Sequence, residues 1–230
     1  MNDSAASQAR PRSVERIVDF LYREITAMRL LPGTRISETD VAAQFGVSRQ
    51  PVREAFSRLA AMDLILVRPK KATEVRRFST LSIEKSRFVR SAIESAALRK
   101  AAENCSEADG YALDAQLALQ RKAQAEKSSD AFAELDYDFH RTICDIAGVP
   151  YAFDIIRAEK EKVDRLCMLQ ISKEDRMPQL IEDHARIADA IRSGDAEAAA
   201  AAGALHLSRL DETIAAIRKS SAAYFEDDPT

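Results

Sequence analysis

The chain contains three histidines, His140, His184 and His206, and all of them lie in its second half. Asp136 precedes His140 by four residues, so on a helix its carboxylate would project from the same face, one turn away. Three imidazoles and one carboxylate form a donor set suited to Zn²⁺, Ni²⁺ or Mn²⁺. The spacing alone does not bring the three rings together, and three separate surface histidines are the alternative.

A second candidate site lies in the segment SRQPVREAF, where Arg49 and Arg53 stand four residues apart. Ser48 is suited to cap a helix and Pro51 to occupy its first turn, so both arginines would lie near the helix N-terminus. Gly46 supplies a turn just before this helix. The pattern is typical of a helix-turn-helix whose second helix enters the major groove, where arginine binds guanine. An ordinary helical hairpin with solvated charges is the alternative.

The elements around these arginines predict a winged helix-turn-helix domain over residues 10–77. Apolar residues at helical spacing predict a first helix over 13–28, which would complete a core of three helices. The apolar segments 64–67 and 73–77 flank a basic tip that contains Lys70 and Lys71, and they predict a small β-hairpin. Lysines at such a tip would contact DNA phosphate, whereas a solvated surface loop is the alternative.

Residues 81–220 show helical periodicity without the alternation of strands. Helices are predicted over 81–104, 107–127, 129–147, 150–171, 174–193 and 195–220. Short connections between them predict an antiparallel bundle of about six helices, and such bundles hold ligands among inward-facing side chains. The predicted fold class is therefore mainly α, with an N-terminal winged helix-turn-helix and a C-terminal helical domain.

Composition and the distribution of charge limit the classes of function that this protein could have. Residues 1–80 carry 14 Lys and Arg against 9 Asp and Glu, a net charge of +5, whereas residues 81–230 carry 20 against 28, a net charge of −8. A basic head on an acidic body suits a DNA-binding regulator. No apolar run approaches the ~20 residues of a membrane span, and the polar N-terminus lacks the apolar core of a signal peptide. Three widely spaced cysteines suit reduced thiols, so we expect a cytoplasmic protein without membrane partners.

The run PG.RI.E..VA..FGVSR.PVREAF.RL, followed by the Arg-Pro of the hairpin tip, resembles the N-terminal domain of the GntR family of bacterial transcription regulators. The resemblance covers roughly residues 13–77 and implies a homodimer that binds a short inverted repeat. Carried over position by position, it implies DNA contacts by Thr39, Ser48, Arg49, Gln50 and Arg53, with Lys70 and Lys71 in the wing. The chain departs from the family at Met28 and Ala72, where glycines are usual, and the second departure puts the wing conformation in doubt.

The C-terminal half resembles the FCD ligand-binding domain of the FadR-type branch of that family. The resemblance rests on Arg90 with Ile93-Glu94, on the segment Asp136-Tyr-Asp-Phe-His140, on Glu182-Asp-His184, and on His206-Leu207. It implies that Asp136, His140, His184 and His206 ligate a divalent metal, with Zn²⁺ first and Ni²⁺ or Mn²⁺ as alternatives. The candidates for binding a carboxylate of the effector are Arg90 and, more weakly, Arg165. The alternative is that each arginine forms a salt bridge between helices. Val149, where the family often has asparagine, affects only the local loop.

The sequence therefore predicts a dimeric, metal-containing repressor that binds operator DNA and is controlled by a small organic-acid effector. One rival makes the metal itself the signal, and another makes the metal structural, with the effector elsewhere in the bundle. A helical-bundle metalloenzyme is the rival from a different class. No nucleophile or general-base pattern accompanies the histidines, so we expect no enzymatic activity.

Overall fold

The computed structural model describes residues 3–68, 71–167 and 173–226. The chain divides into two compact units. The first unit comprises the residues up to Thr80 together with those from Ser221 onward, and the second comprises Leu81–Ser220. None of the helices in the described ranges combines the length and the apolar character that crossing a membrane requires.

The first unit is a three-helix domain with a small sheet. Its elements are α1 (Asp3–Thr26), β1 (Arg35–Ile36), α2 (Glu38–Phe45), α3 (Arg49–Ala61), β2 (Ile65–Leu66) and β3 (Thr73–Val75). The strands lie in the order β1-β3-β2 and both pairings are antiparallel, with Ile65 opposite Val75 and Arg35 opposite Glu74. The predicted hairpin is present. β1 adds a third strand that was not predicted, because a strand of two residues leaves no detectable pattern in the sequence.

The core of this unit is formed by apolar residues at helical spacing. Each helix buries one face, and the strands cover the rest with Ile36, Ile65 and Val75. Gly46 ends α2 with a φ of 63°, which confirms the predicted turn between the two helices. Met28 also has a positive φ, of 57°, and it stands where the resembled family has glycine.

The segment after the last long helix returns to this unit. A short 3₁₀ turn spans Ala222–Tyr224, and Phe225 forms a parallel bridge with Phe78. The amide of Phe78 donates to the carbonyl of Tyr224, and the amide of Glu226 donates to the carbonyl of Phe78. Both phenylalanines are buried and their ring centroids lie 5.7 Å apart. The residues that enter the second unit are thus bonded to those that leave it.

The second unit is a helical bundle. Its helices are α4 (Thr80–Asn104), α5 (Glu107–Ala125), α6 (Ser129–Ile146), α7 (Ala152–Cys167), α8 (Lys173–Arg192), α9 (Ala196–Ser208) and α10 (Leu210–Ser220). The helix predicted over 195–220 is therefore two helices that meet at Arg209. With this refinement the predicted fold class, mainly α with a winged helix-turn-helix and a helical bundle, is confirmed.

Packing in the bundle brings α5, α8 and α9 together, with α8 against both of the others. Leu113, Phe139 and Ile187 are among the side chains of its core. Gly203 lets α9 approach α4 closely, because a Cβ at this position would lie 2.2 Å from Cδ1 of Leu98. This close approach helps to carry the residues of α9 into the bundle interior.

Candidate metal centre and nucleic-acid interface

Six helices of the bundle send polar side chains into one buried region. The helices α4 to α9 each contribute at least one residue, namely Arg90 and Glu94 from α4, Gln120 from α5, Asp136 and His140 from α6, Lys160 from α7, His184 from α8 and His206 from α9. All of these residues are buried. Burying so many polar groups is costly unless they are paired, so the pairing decides what the region can do.

The three histidines converge although they come from separate helices. One ring nitrogen of each of His140, His184 and His206 lies within 4.8 Å of the others. The ring centroids of His184 and His206 are 4.8 Å apart, and that of His140 is 5.5 Å from His206. Two nitrogens bound to one metal at about 2.1 Å can lie up to about 4.2 Å apart, so small ring rotations would close the set.

Hydrogen bonding fixes the protonation of His184. The side-chain oxygen of Gln120 lies 2.9 Å from Nδ1 of His184 and can accept its proton, while the Gln120 amide nitrogen donates to the carbonyl of Leu135. Nδ1 then carries the hydrogen, and Nε2 presents a lone pair. Burial lowers the pKa of His184 to about 3, which keeps this ring neutral. Stacking on Phe139, at 4.3 Å between centroids, holds its plane.

The lone pair of His184 faces a carboxylate. Oδ1 of Asp136 lies 3.3 Å from Nε2 of His184. Burial would raise the pKa of Asp136, but the ammonium of Lys160 and the neighbouring imidazoles hold it well below its usual range. A carboxylate oxygen and an imidazole lone pair repel each other at this distance unless a cation lies between them. This distance is short enough for both atoms to bind one ion, although the ligand atoms that all lie within 4.8 Å of one another are those of the three histidines and do not include Asp136.

His140 is oriented by a second carboxylate. Nδ1 of His140 lies 3.0 Å from Oε2 of Glu94, and Oε1 of Glu94 accepts from Nε of Arg90 at 2.8 Å. Burial would raise the pKa of Glu94, but Arg90 and His140 hold it well below its usual range, so it stays an acceptor. A carboxylate behind a histidine fixes the ring tautomer and makes the opposite nitrogen a better metal ligand.

The histidine nitrogens that lack a hydrogen-bond partner show whether this region suits a metal ion. Nε2 of His140, Nε2 of His184 and Nδ1 of His206 are buried, and within the described residues none of them has a hydrogen-bond partner. Nδ1 of His206 lies 3.9 Å from Oδ2 of Asp183, too far for a hydrogen bond. Burial also holds the pKa of His206 well below its usual value. Buried imidazole nitrogens without a partner are what a divalent cation requires, so the residues fit one.

Lys160 lies at the edge of the same region. Its Nζ is 2.8 Å from Oδ2 of Asp136 and 2.6 Å from Oδ2 of Asp164. Burial would lower the pKa of Lys160, but the two carboxylates raise it, so the side chain is an ammonium. Asp136 therefore shares one oxygen with Lys160 and directs the other toward His184.

The candidate DNA-binding side chains lie on the surface of the first unit. Thr39 on α2 and Ser48, Arg49, Gln50 and Arg53 around the start of α3 are all exposed. Ser48 occupies the N-cap position but makes no side-chain capping bond, so its hydroxyl is available to a ligand. Arg53 donates from Nε to Glu38 at 2.9 Å. Lys71 is exposed next to the hairpin, whereas Lys70 lies outside the described residues.

Sequence reasoning missed several residues of the buried region. Glu94 could have been found as the partner of Arg90 four residues earlier, because charges at this spacing meet on a helix. Lys160 has an equivalent partner in Asp164, four residues later on α7, but its contact with Asp136 and the contact of Gln120 with His184 join different helices and give no such signal. Arg90 lies in the region as expected, but its guanidinium is paired with Glu94. Arg165 is buried near the end of α7.

Two family models match the chain. The model of the bacterial regulatory proteins of the gntR family matches residues 13–75, and the FCD domain model matches residues 87–209. The structure resembles E. coli McbR/YncC, with a TM-score of 0.65 and 21% identity over 90% of this chain and 98% of that one. It also resembles a GntR transcriptional regulator from Rhodococcus sp. RHA1, with a TM-score of 0.68 and 21% identity over 88% and 97%. At these identities the two likenesses show the fold alone.

Sequence relatives carry names of the same kind. The chain is 35% identical to the HTH-type transcriptional repressor RspR of Escherichia coli (strain K12), over 93% of this chain and 94% of the relative. It is 29% identical to the "Probable D-xylose utilization operon transcriptional repressor" of Paenarthrobacter nicotinovorans, over 86% and 87%. These names indicate a transcription regulator, with a DNA-binding head and an effector domain. The chain therefore belongs to the GntR family of bacterial regulatory proteins and carries an FCD domain.

Proposed function

We propose that this chain is a homodimeric repressor that binds a short inverted-repeat operator and is controlled by a small carboxylate bound at a metal centre. The observation that carries the proposal is the meeting of His140, His184 and His206, each with a buried nitrogen that lacks a partner among the described residues. Without a cation these three buried nitrogens would remain unsatisfied, which costs about 1–3 kcal/mol for each atom.

The three histidines and Oδ1 of Asp136 would hold the ion. This donor set suits Zn²⁺, with Ni²⁺ or Mn²⁺ as alternatives. A divalent ion bound there would act as a Lewis acid that accepts a carboxylate oxygen of the effector in an open coordination position. Glu94 and Gln120 would keep two of the rings oriented, and Arg90 and Arg165 are the arginines we assign to the effector.

A narrow cavity beside His140 and His206 supports a link between effector binding and helix movement. It is lined largely by apolar side chains, among them Leu98, Ile143 and Ile156, and it has room for about one water molecule. An organic acid would therefore have to displace side chains or helices as it enters. An effector that binds one helix arrangement better than another shifts the equilibrium toward it, which is the requirement for control.

The same narrow cavity favours a second candidate, in which the metal alone is the signal. A cavity with room for about one water molecule requires less rearrangement for a single ion than for an organic acid. Titration of Zn²⁺ against operator affinity, with no organic acid present, separates the two. A change in operator affinity on adding metal alone supports the metal signal, and no change supports the organic acid.

The DNA-binding proposal rests on the exposed first turn of α3. Arg49 and Gln50 are exposed at the helix N-terminus, and Ser48 and Arg53 lie beside them. An arginine here can bond both acceptors of guanine, a contact that contributes about 1–3 kcal/mol of discrimination. Thr39 and the hairpin lysines would contact the phosphate backbone and set the register.

Two large apolar side chains that are exposed on one side of α4 support the homodimer. Leu81 and Phe88 lie seven residues apart, about two helical turns, and are 52% and 76% exposed. Large apolar side chains grouped on one face are typical of an association surface. We assign this face to a second copy of the chain, because a symmetric dimer would place two α3 helices on the two half-sites of an inverted repeat.

A pair of substitutions tests the proposal. Arg49→Ala should weaken binding to a duplex selected by the wild-type protein by about 5- to 150-fold, with metal content unchanged. His184→Ala should remove the metal, measured by mass spectrometry of the purified protein, and leave binding to the same duplex largely intact. Arg58→Ala, at the far end of α3, is the matched control for Arg49. Retention of the metal by the His184 variant would show that the proposed centre is wrong.

A further inference from the structure

The ammonium of Lys160 has an unusual position for a charged group. Its side chain is 9% exposed, and its Nζ lies 2.8 Å from Oδ2 of Asp136 and 2.6 Å from Oδ2 of Asp164. The same nitrogen lies 4.4 Å from the ring centroid of Tyr137, whose hydroxyl donates to Asp164 at 2.9 Å. Three neighbours therefore fix this charge in one place. A buried ammonium held so firmly beside a candidate metal ligand must affect any cation that binds there.

We infer that Lys160 is a positioning residue of the metal centre, which fixes Asp136 as a one-oxygen ligand and sets the balance between cation and anion affinity. The inference rests on the metal centre of the proposed function. Lys160 occupies Oδ2 of Asp136, and Oδ1 is the oxygen that lies 3.3 Å from Nε2 of His184. Because Lys160 binds Oδ2, Asp136 has only Oδ1 left to bind a metal ion, and the position of that oxygen is fixed.

The charge of Lys160 weakens metal binding. A carboxylate that already pairs with an ammonium donates less to a divalent ion, and the two positive charges repel each other in a region of low dielectric constant. Glu94 is in turn engaged by Arg90 at 2.8 Å. Each carboxylate near the histidines is thus paired with a positively charged side chain. This pairing suits a centre that exchanges its metal ion more readily than a purely structural centre does.

The same charge strengthens the binding of anions. The histidine ligands are neutral, so Asp136 is the single anionic residue that the proposed ligand set supplies. A divalent ion together with Lys160 leaves an excess of positive charge, which an anionic group on the effector would neutralise. Removal of the Lys160 charge should therefore change the two affinities in opposite directions. A residue that only supported the fold would lower both affinities when replaced.

The experiment compares Lys160→Met and Lys160→Gln, which remove the charge, with Lys160→Arg, which keeps it. Zn²⁺ affinity is measured on the full chain by competition with a chromophoric chelator. We expect the two uncharged variants to bind Zn²⁺ at least about tenfold more tightly, because relief of the charge repulsion outweighs the loss of the bond to Asp136. The arginine variant, which keeps the charge, should stay within about threefold of wild type. Acetate is then titrated into the Co²⁺-loaded proteins and followed in the visible spectrum. Its affinity should fall at least about threefold in the uncharged variants.

Each outcome decides the inference. Zn²⁺ affinity that is unchanged or lower in a folded uncharged variant overturns it, and so does a parallel loss of Zn²⁺ and acetate affinity. Where Lys160→Met does not fold, Lys160→Gln decides, because its amide can still donate to the carboxylates. His184→Ala separates this inference from the proposed function. Metal retained by that variant refutes the centre itself, whereas metal lost there and unchanged affinity in the Lys160 variants refutes only the role of Lys160.

Discussion

Gln120 offers a sharp test of the proposed metal centre because its side-chain oxygen orients a histidine without being a ligand itself. The residue is fully buried on α5, and its side-chain oxygen lies 2.9 Å from Nδ1 of His184 on α8. Leucine has nearly the same volume and cannot accept a hydrogen bond. In Gln120→Leu the Nδ1–H of His184 would be buried without a partner, and the ring would lose the bond that keeps Nε2 directed at the centre.

The magnitude follows from the role of such outer hydrogen bonds. Their removal typically weakens metal binding by 10- to 100-fold, which corresponds to about 1.4–2.7 kcal/mol. At a metal concentration about 100 times the wild-type Kd, binding stabilises the wild-type fold by about 2.7 kcal/mol. At the same concentration the variant should gain only about 0.4–1.4 kcal/mol. A chain of this size shifts its Tm by roughly 2–4 °C for each kcal/mol.

The assay is thermal unfolding of the chelator-treated protein, with and without added Zn²⁺, together with a chelator competition that gives Kd. We expect a Tm rise of roughly 5–10 °C for wild type and roughly 1–5 °C for Gln120→Leu. Gln116→Leu is the matched control, since Gln116 lies one turn earlier on α5 and its side-chain oxygen has no hydrogen-bond partner in the described part of the chain. Equal metal-induced shifts in the Gln120 and Gln116 variants would refute the reasoning.

Three further expectations concern other parts of the chain. Phe88→Glu, which places a charge on the exposed side of α4, should convert the proposed dimer into monomers in sedimentation analysis and weaken operator binding, and an unchanged mass would contradict the assigned interface. Phe225→Ala removes the ring that packs on Phe78 and should destabilise the DNA-binding unit by about 3 kcal/mol, seen as earlier loss of its amide protection in hydrogen exchange. Burial raises the pKa of Cys144 to about 12, so its thiolate fraction at pH 8 is roughly one in ten thousand. Iodoacetamide should therefore modify Cys144 only on unfolding, and its rapid modification at pH 8 would show that the bundle opens near His140.

Local sequence rules predicted the helices and the hairpin of the DNA-binding unit. Gly46 in the left-handed region, Ser48 at the N-cap and apolar residues at helical spacing are each decided by near neighbours in the chain. β1 was missed because a two-residue strand has no alternation to detect, and its existence depends on β3, almost forty residues later. The division of the last predicted helix at Arg209 was missed because no glycine or proline marks it.

Only part of the candidate metal centre could be predicted from the sequence. Asp136 and His140 lie one turn apart on a single helix, so their proximity follows from helical spacing. The convergence of His184 and His206 came from the family resemblance, because spacing in the chain does not determine which helices become neighbours. Gln120, Glu94 and Lys160 support residues on other helices, and their partners are defined by packing. Sequence patterns detect contacts within a helix far better than contacts between helices.

One of the residues that contact the histidines lies on α4, a helix whose first residues connect to the DNA-binding unit. α4 carries Arg90 and Glu94, and Glu94 contacts His140, so any shift of His140 acts on α4. The first residues of α4 follow directly after Phe78, and Phe78 is paired with Phe225, which follows α10. Both covalent connections of the bundle therefore join the DNA-binding unit at one bonded pair. Because the two connections are bonded to each other, a displacement of α4 relative to α10 would have to strain or break the pair of Phe78 and Phe225.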